Sequence, residues 1–329
     1  MFHLFHPIRN HAMKLVIRLA IILSSPMEES APQVSVSIIV VSRNSAAALP
    51  RCVAALERSD GREGMEILVV DNGSSDGSAR IDSEFPAVTV LRLPRNFGLT
   101  KARNIGARTA SREFLLYLDP LVEVEPSTIQ KLAGKLSSSA DLAAVSPMLL
   151  DPEHRPAIRA VQLPRAEDVF NLWKSGGEPK GHDLDPEAGE TPVEAVEDLA
   201  LMVRRHFVKG MNYLDERYGQ SWFGTELFLQ IRRAGRKAAV VPSATATRHP
   251  SQLNPADPRV RAALASDFAS GAARYLGKHF GIGAAVRFRL AAFLYTLGKL
   301  LTFTDVRYNR SLLTGLASAQ KIDGSQPWS

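Results

Sequence analysis

The stretch MEILVVDNGSSDGS, residues 65–78, decides the fold class. Met65 to Val70 is a short aliphatic and β-branched run of strand type, and it stops at an acid, Asp71. A polar turn rich in Asn, Ser, Asp and Gly follows and leads into a short helix from Ser78 to Glu84. The same alternation extends outward in both directions. Strand Val34 to Val41 and helix Ala46 to Arg58 precede it. Strand Val88 to Leu93, helix Leu99 to Ala110, strand Phe114 to Leu118, helix Ser127 to Ser137 and an apolar segment Ala143 to Leu150 follow. Repeated β-α-β alternation predicts an α/β fold, a mostly parallel sheet covered by helices on both faces. In such sheets the ligand sits at the carboxyl ends of the strands.

The rest of the chain bounds the possibilities. Its 329 residues are enough for one large domain or two smaller ones, and 45% hydrophobic with 22% charged residues is a globular composition, not a disordered or fibrous one. Lys and Arg exceed Asp and Glu by 40 to 34, a net charge of +6 that suits anionic partners. The single cysteine, Cys52, excludes an intrachain disulfide, and no Cys/His cluster has zinc-site spacing. Residues 1–33 are expected to be a disordered N-terminal extension or the product of an upstream start, since the apolar run Met13 to Leu23 is too short to span a bilayer. Residues 34–255 form the α/β domain, with a long surface loop from Pro156 to Pro192, a Val193 to Arg205 segment, a Glu226 to Ala234 helix and a Lys237 to Val241 strand. Residues 256–329 are a C-terminal helical region.

Three strand ends carry the chemistry. Asp71 stands where a carboxylate can hold a base or ribose. The segment Asn96-Phe97-Gly98-Leu99-Thr100-Lys101-Ala102-Arg103-Asn104 enters a helix whose N-terminus and nearby cations suit phosphate. Asp119, at the end of FLLYLDP, can meet a divalent cation bridging diphosphate oxygens. Each segment alone is equally an ordinary turn or capped helix. Together they point at one nucleotide diphosphate.

The ordered series SIIVVSRN, ILVVDNGSSDGS, RNFGLTKARNIGA, FLLYLDP, YLDERYGQSWFGTELFLQIRRAG and Arg248-His249 resembles the inverting family 2 glycosyltransferases of the GT-A fold, especially rhamnosyltransferase-like members. The resemblance implies a Rossmann-like fold that transfers a sugar from a nucleotide-sugar donor to a glycan, lipid-linked or other acceptor, in polysaccharide and cell-envelope biosynthesis. It implies nucleotide contacts from Ser42, Asn44, Asp71, Asn96, Gly98, Arg103 and Asp119, and a Mg or Mn ion held by Asp119 and His249. The implied location is cytoplasmic, at the inner face of the cell membrane.

Two departures from the family pattern stand out. The metal motif's second acid is replaced by Leu121, and the position of the usual general base is Gly224. Glu226 is retained two residues along a helix, about half a turn away. Glu197 and Asp198 replace a small-residue acceptor segment, and Asp198 or Glu226 is the expected base; Glu123 is a displaced candidate metal ligand. The alternative is a silent GT-A domain that binds nucleotide, glycan or a partner without transfer. In the helical region, residues 286–303 have a wide apolar face, Phe288, Phe293, Leu294, Leu297 and Leu301, and a stripe of Arg289, Thr296 and Lys299. This pattern suits a peripheral membrane contact or a helix packed on the domain or on a second copy. No helix-turn-helix or interleaved aromatic platform supports nucleic-acid binding.

Overall fold

The computed structural model describes residues 35–177, 180–250 and 257–318, and the N-terminal extension expected over residues 1–33 lies outside them. In the first half β1 (Val36–Ser42), α1 (Leu49–Glu57), β2 (Met65–Asp71), β3 (Thr89–Arg92), α2 (Leu99–Thr109), β4 (Phe114–Leu118), β5 (Val122–Val124), α3 (Thr128–Ser138) and β6 (Leu142–Leu150) follow one another. Then come β7 (Arg159–Val161), α4 (Val169–Lys174), β8 (Gly181–Asp183), β9 (Thr191–Val193), β10 (Ala195–Val196), β11 (Ala200–Arg204), α5 (Arg205–Gly210), α6 (Phe223–Arg233) and β12 (Lys237–Arg248). Helices α7 (Pro258–His279), α8 (Ile282–Leu301) and α9 (Val306–Ser318) close the described chain.

The main sheet runs β3-β2-β1-β4-β11-β6-β12-β5, with β9 also on β12. The β3, β2, β1 and β4 pairings are parallel, as the alternation requires. β11 then enters antiparallel between β4 and β6, so the sheet is mixed beyond β4. From β1 the chain steps outward to β2 and β3, then returns to place β4 on the other side of β1. That reversal of strand order opens a crevice at the carboxyl ends of β1 and β4, where ligands of such sheets bind. Register brings the two first strand ends level: Ser42 lies opposite Asp71. Helix α2 packs tightly on this sheet because Gly106 lacks a side chain; a Cβ there would lie 2.6 Å from Ile39 Cγ2.

Three expectations change. The supposed loop from Pro156 to Pro192 carries β7, α4 and β8, and β7 joins β10 and β8 in a small antiparallel sheet. Within it Val169 and Trp173 are buried, and the Trp173 indole donates to the Ala265 carbonyl at 3.1 Å. The strand expected to stop at Val241 continues to Arg248 across an irregularity between Val241 and Thr245. In α8 the exposed face is rotated from the expected one. Phe288 is buried against Trp173, ring centroids 6.2 Å apart, and Thr296 is buried with its hydroxyl donating to the Ala292 carbonyl at 2.8 Å. Ile282, Val286, Leu290, Leu294 and Leu301 are the apolar residues left exposed. Among the described residues no helix is long and apolar enough to cross a membrane.

Candidate active site

The loop after β1 is stitched to the turn after β2. Asn44, at φ 49°, accepts from the Ser75 amide at 2.8 Å, its own amide donates to Ser74 Oγ at 3.0 Å, and the Ala46 amide donates to Asp76 Oδ2 at 3.0 Å. Gly73 permits the turn to lie flat on the next segment: its φ is +74°, and a Cβ would sit 2.4 Å from the Arg95 carbonyl carbon. Across that contact the Asn72 amide donates to Asn96 Oδ1 at 2.9 Å, and the Phe97 amide donates back to Asn72 Oδ1 at 2.8 Å. Asn96 Oδ1 also receives the Gly98 amide at 2.8 Å, which fixes the entry to α2.

Inside this frame Ser42 Oγ, Arg43 Nε, Asp71 Oδ1 and Asn96 Nδ2 are buried without a hydrogen-bond partner among the described residues. An unpaired buried polar group costs about 1–3 kcal/mol, so four around two adjacent strand ends mark a site that a polar ligand completes. Both donors and acceptors are free, as a nucleobase edge requires. Of the expected nucleotide contacts, Ser42, Asp71, Asn96 and Gly98 come together here, with Asn44 exposed at the rim.

Arg103 has a different surrounding. Its guanidinium, 4% exposed, lies 4.3 Å from the Phe223 ring centroid and 5.5 Å from that of Tyr117. It donates to Asp198 Oδ2 at 2.5 Å and to the Asp198 carbonyl at 3.1 Å, tying α2 to the turn between β10 and β11. Gly224 faces the same carboxylate: a Cβ at 224 would lie 3.0 Å from Asp198 Oδ1 and 3.2 Å from its Cγ. The Asp198 carboxylate therefore occupies the space that a side chain at 224 would enter. A pocket of about 150 Å³ lies beside it, lined among others by Glu197, Asp198, Trp222, Phe223 and Gly224. At its edge Trp222 holds φ +74°, a strained value for a bulky residue, immediately before α6.

Glu226 lies elsewhere. It is 2% exposed and receives Lys278 Nζ at 2.7 Å, His279 Nε2 at 2.6 Å, Gln230 Nε2 at 2.7 Å and the Tyr218 hydroxyl at 3.1 Å. Burial alone would raise its carboxyl, but the Lys278, His279 and Gln230 hydrogen bonds hold it below its ordinary value. Its partners come from α7, from α6 itself and, in Tyr218, from the loop before α6. Glu226, one of the two expected bases, is bonded to Lys278, His279 and Gln230, and these bonds tie α7 to α6.

The expected metal pair is also separated in its bonding. Asp119 Oδ1 accepts from the Leu121 amide at 2.9 Å, and burial pushes this carboxyl above its ordinary value, with the Asp198 charge adding and Arg103 and Arg248 opposing. His249 Nε2 lies 3.0 Å from Glu123 Oε2, and Arg51 and Arg58 both approach Glu123 to 3.7 Å. The Leu121 side chain has no metal-ligating atom, and among the described residues no three His, Cys, Asp or Glu side chains gather as a metal site. A hard dication takes six or more oxygens, so the protein's own side chains do not complete a site for one, and diphosphate oxygens and water would have to supply the rest. The charges flanking Asp119 are guanidinium groups, Arg103 and Arg248, the latter paired with Glu197 at 2.7 Å. Arg248 and the Phe223 and Tyr117 rings are not among the expected site residues; only the position of Arg248 beside His249 signals its place.

Comparison with known proteins accords with this layout. Residues 37–176 match the model of glycosyl transferase family 2. An N-acetylglucosaminyltransferase of Sinorhizobium fredii is 30% identical over 128 residues, 37% of this chain and 31% of that protein. The chain spans about a third of the length of the curated relatives it matches. Among solved structures, GalNAc-T7 with UDP, GalNAc and Mn2+ superposes with a TM-score of 0.55 at 18% identity, covering 73% of this chain and 50% of that one. TarS residues 1–349 of S. aureus with UDP-GlcNAc gives 0.50 at 16% identity, covering 86% and 91%. These likenesses show a shared GT-A-like α/β fold. Over residues 37–176, the part that builds the crevice at the ends of β1 and β4, the chain is similar to glycosyl transferase family 2.

Proposed function

We propose that this protein transfers a sugar from a nucleotide-sugar donor to an acceptor hydroxyl with inversion, and that Asp198 is the general base. The observation that carries the proposal is the Asp198 carboxylate lying in the space of the missing side chain at Gly224. The nucleobase is held by Ser42, Asn44, Asp71, Asn96 and the Gly98 turn, and the unpaired groups of Ser42, Asp71 and Asn96 supply both donors and acceptors. The acceptor enters the pocket at Asp198. Its hydroxyl oxygen forms a bond to the anomeric carbon as the bond from that carbon to the diphosphate oxygen breaks. The proton passes to the Asp198 carboxylate, and the electron pair leaves with the nucleoside diphosphate. Arg103 holds the base in position, and Arg248 supplies positive charge near Asp119 toward the departing diphosphate.

The exposed face of α8, where Leu290 and Leu294 stand beside Arg287 and Arg289, supports a lipid-linked acceptor reached at a membrane surface. Apolar side chains next to cations that have no carboxylate partner among the described residues suit an anionic membrane surface at the cytoplasmic side. Flotation with vesicles containing acidic lipid, lost in high salt, is the expected behaviour.

One observation favours a second reading, a nucleotide-binding module without turnover: Leu121 stands where the family's metal-binding acid belongs. Calorimetry with UDP, dTDP and GDP, followed by turnover of the matching nucleotide sugars, separates the two. Asp198→Asn is expected to lower turnover about a hundredfold to ten-thousandfold with nucleotide affinity unchanged. Binding without turnover in the wild type selects the silent module, and no nucleotide binding by folded protein refutes both.

A further inference from the structure

A second cavity, of about 580 Å³, shares the wall Gln162, Leu163, Pro164 and Leu172 with the pocket that holds Asp198. Its volume is that of a small-molecule site, about 300–1,000 Å³. Four cationic side chains line it against two carboxylates. Lys180 pairs with Asp168 at 3.3 Å and Arg232 pairs with Glu194, which leaves Arg165 and Arg233 without a carboxylate among the described residues. His279 also lines the cavity. Its side chain is 1% exposed, Glu226 engages Nε2, and Nδ1 is buried with no partner among the described residues. Gln162 and Asn171 add amides, and Tyr275 and Phe280 add aromatic rings.

We infer that this cavity binds an acidic saccharide unit, a sugar ring bearing a carboxylate or phosphate. The two unpaired guanidiniums take the anion in the fork geometry that suits carboxylate and phosphate oxygens. The amides and the spare imidazole nitrogen take ring hydroxyls, and the aromatic rings cover the apolar face of the sugar. Because the wall is shared with the pocket at Asp198, the saccharide is a unit of the acceptor next to the one that receives the new sugar. That role, though not the binding itself, rests on the transfer function proposed above.

The test is a titration of histidine-labelled full-length protein, with the His279 ring signals assigned by their loss in His279→Gln. Glucuronate and glucose 1-phosphate are expected to move these signals saturably, while glucose and inorganic phosphate at equal concentration bind at least about tenfold more weakly. Arg165→Ala and Arg233→Ala are each expected to weaken acidic-sugar binding about tenfold and to leave UDP affinity unchanged. Three results overturn the inference. They are no saturable His279 shift with either acidic sugar, glucose binding as well as they do, or inorganic phosphate binding as well as they do. Should the acidic sugars bind while no nucleotide does, the cavity stands and the transfer function falls.

Discussion

Replacing Glu226 by Gln keeps the shape of the side chain and removes its charge from a place where four donors converge on two oxygens, at 2.6 to 3.1 Å. The carboxylate is 2% exposed, so its partners have little water to turn to. Breaking a buried, hydrogen-bonded ion pair by removing one member costs about 3–5 kcal/mol, because the other member is left uncompensated. For a large domain each kcal/mol lowers the melting temperature by roughly 2 °C, so a loss of about 6–10 °C at neutral pH is expected. The pH dependence has a definite sign. The folded carboxyl lies below its unfolded value of 4.5, so the stabilisation is complete above that value and disappears as pH falls through the folded one. Thermal unfolding of wild type and variant, followed from pH 7 to well below 4.5, should therefore show two melting temperatures that stay apart above 4.5 and converge below it. A variant melting within about 1 °C of wild type at pH 7 while losing sugar transfer would return Glu226 to the role of base and refute the lock.

Gly224→Ala puts a methyl 3.0 Å from Asp198 Oδ1, and the carboxylate cannot retreat freely because Arg103 grips it between two rings. Turnover is expected to fall about a hundredfold, as for a catalytic group displaced by about 1 Å; wild-type kcat in a folded variant would count against Asp198. Arg248→Ala should weaken nucleotide binding about tenfold in calorimetry, and a chelator should leave wild-type affinity unchanged, whereas a tenfold tightening by Mn2+ would contradict the reading of the donor set. Cys52 is 1% exposed and burial pushes its thiol well up, so iodoacetamide should label it only as the protein unfolds.

The first half of the sheet was legible because its strands are continuous apolar runs that end in Ser42, Asp71 and Asp119, and its helices are long enough to show a period. The small sheet of β7, β8 and β10 was not, since segments of two or three residues carry no periodicity and hold their place only by pairing with each other. The exposed face of α8 was misjudged for a related reason. A helix that is apolar nearly all round does not reveal which side a partner covers, and only the Trp173 indole decides that Phe288 points inward. At the site, the sequence shows Leu121 and Gly224 where the resemblance leads one to expect acids. What no spacing could show is that Arg103, on a helix far away in the chain, carries Asp198 to the gap left at Gly224.

The antiparallel insertion of β11 has a consequence for how the chain can be divided. β4 ends at Leu118 and β6 at Leu150, yet the strand that joins them begins only at Ala200. A polypeptide cut at residue 176, the limit of the family match, would contain both neighbours and lack their shared partner. Two rows of amide and carbonyl groups would then lie open beside apolar faces, the arrangement that templates aggregation. During synthesis the ribosome must likewise deliver β11 before the centre of the sheet can close, so the β11-facing edges of β4 and β6 stay open through the whole emergence of the β7 to β10 segment. The minimal heritable and expressible unit of this architecture therefore extends at least through Arg204, well past the residues by which the family is identified.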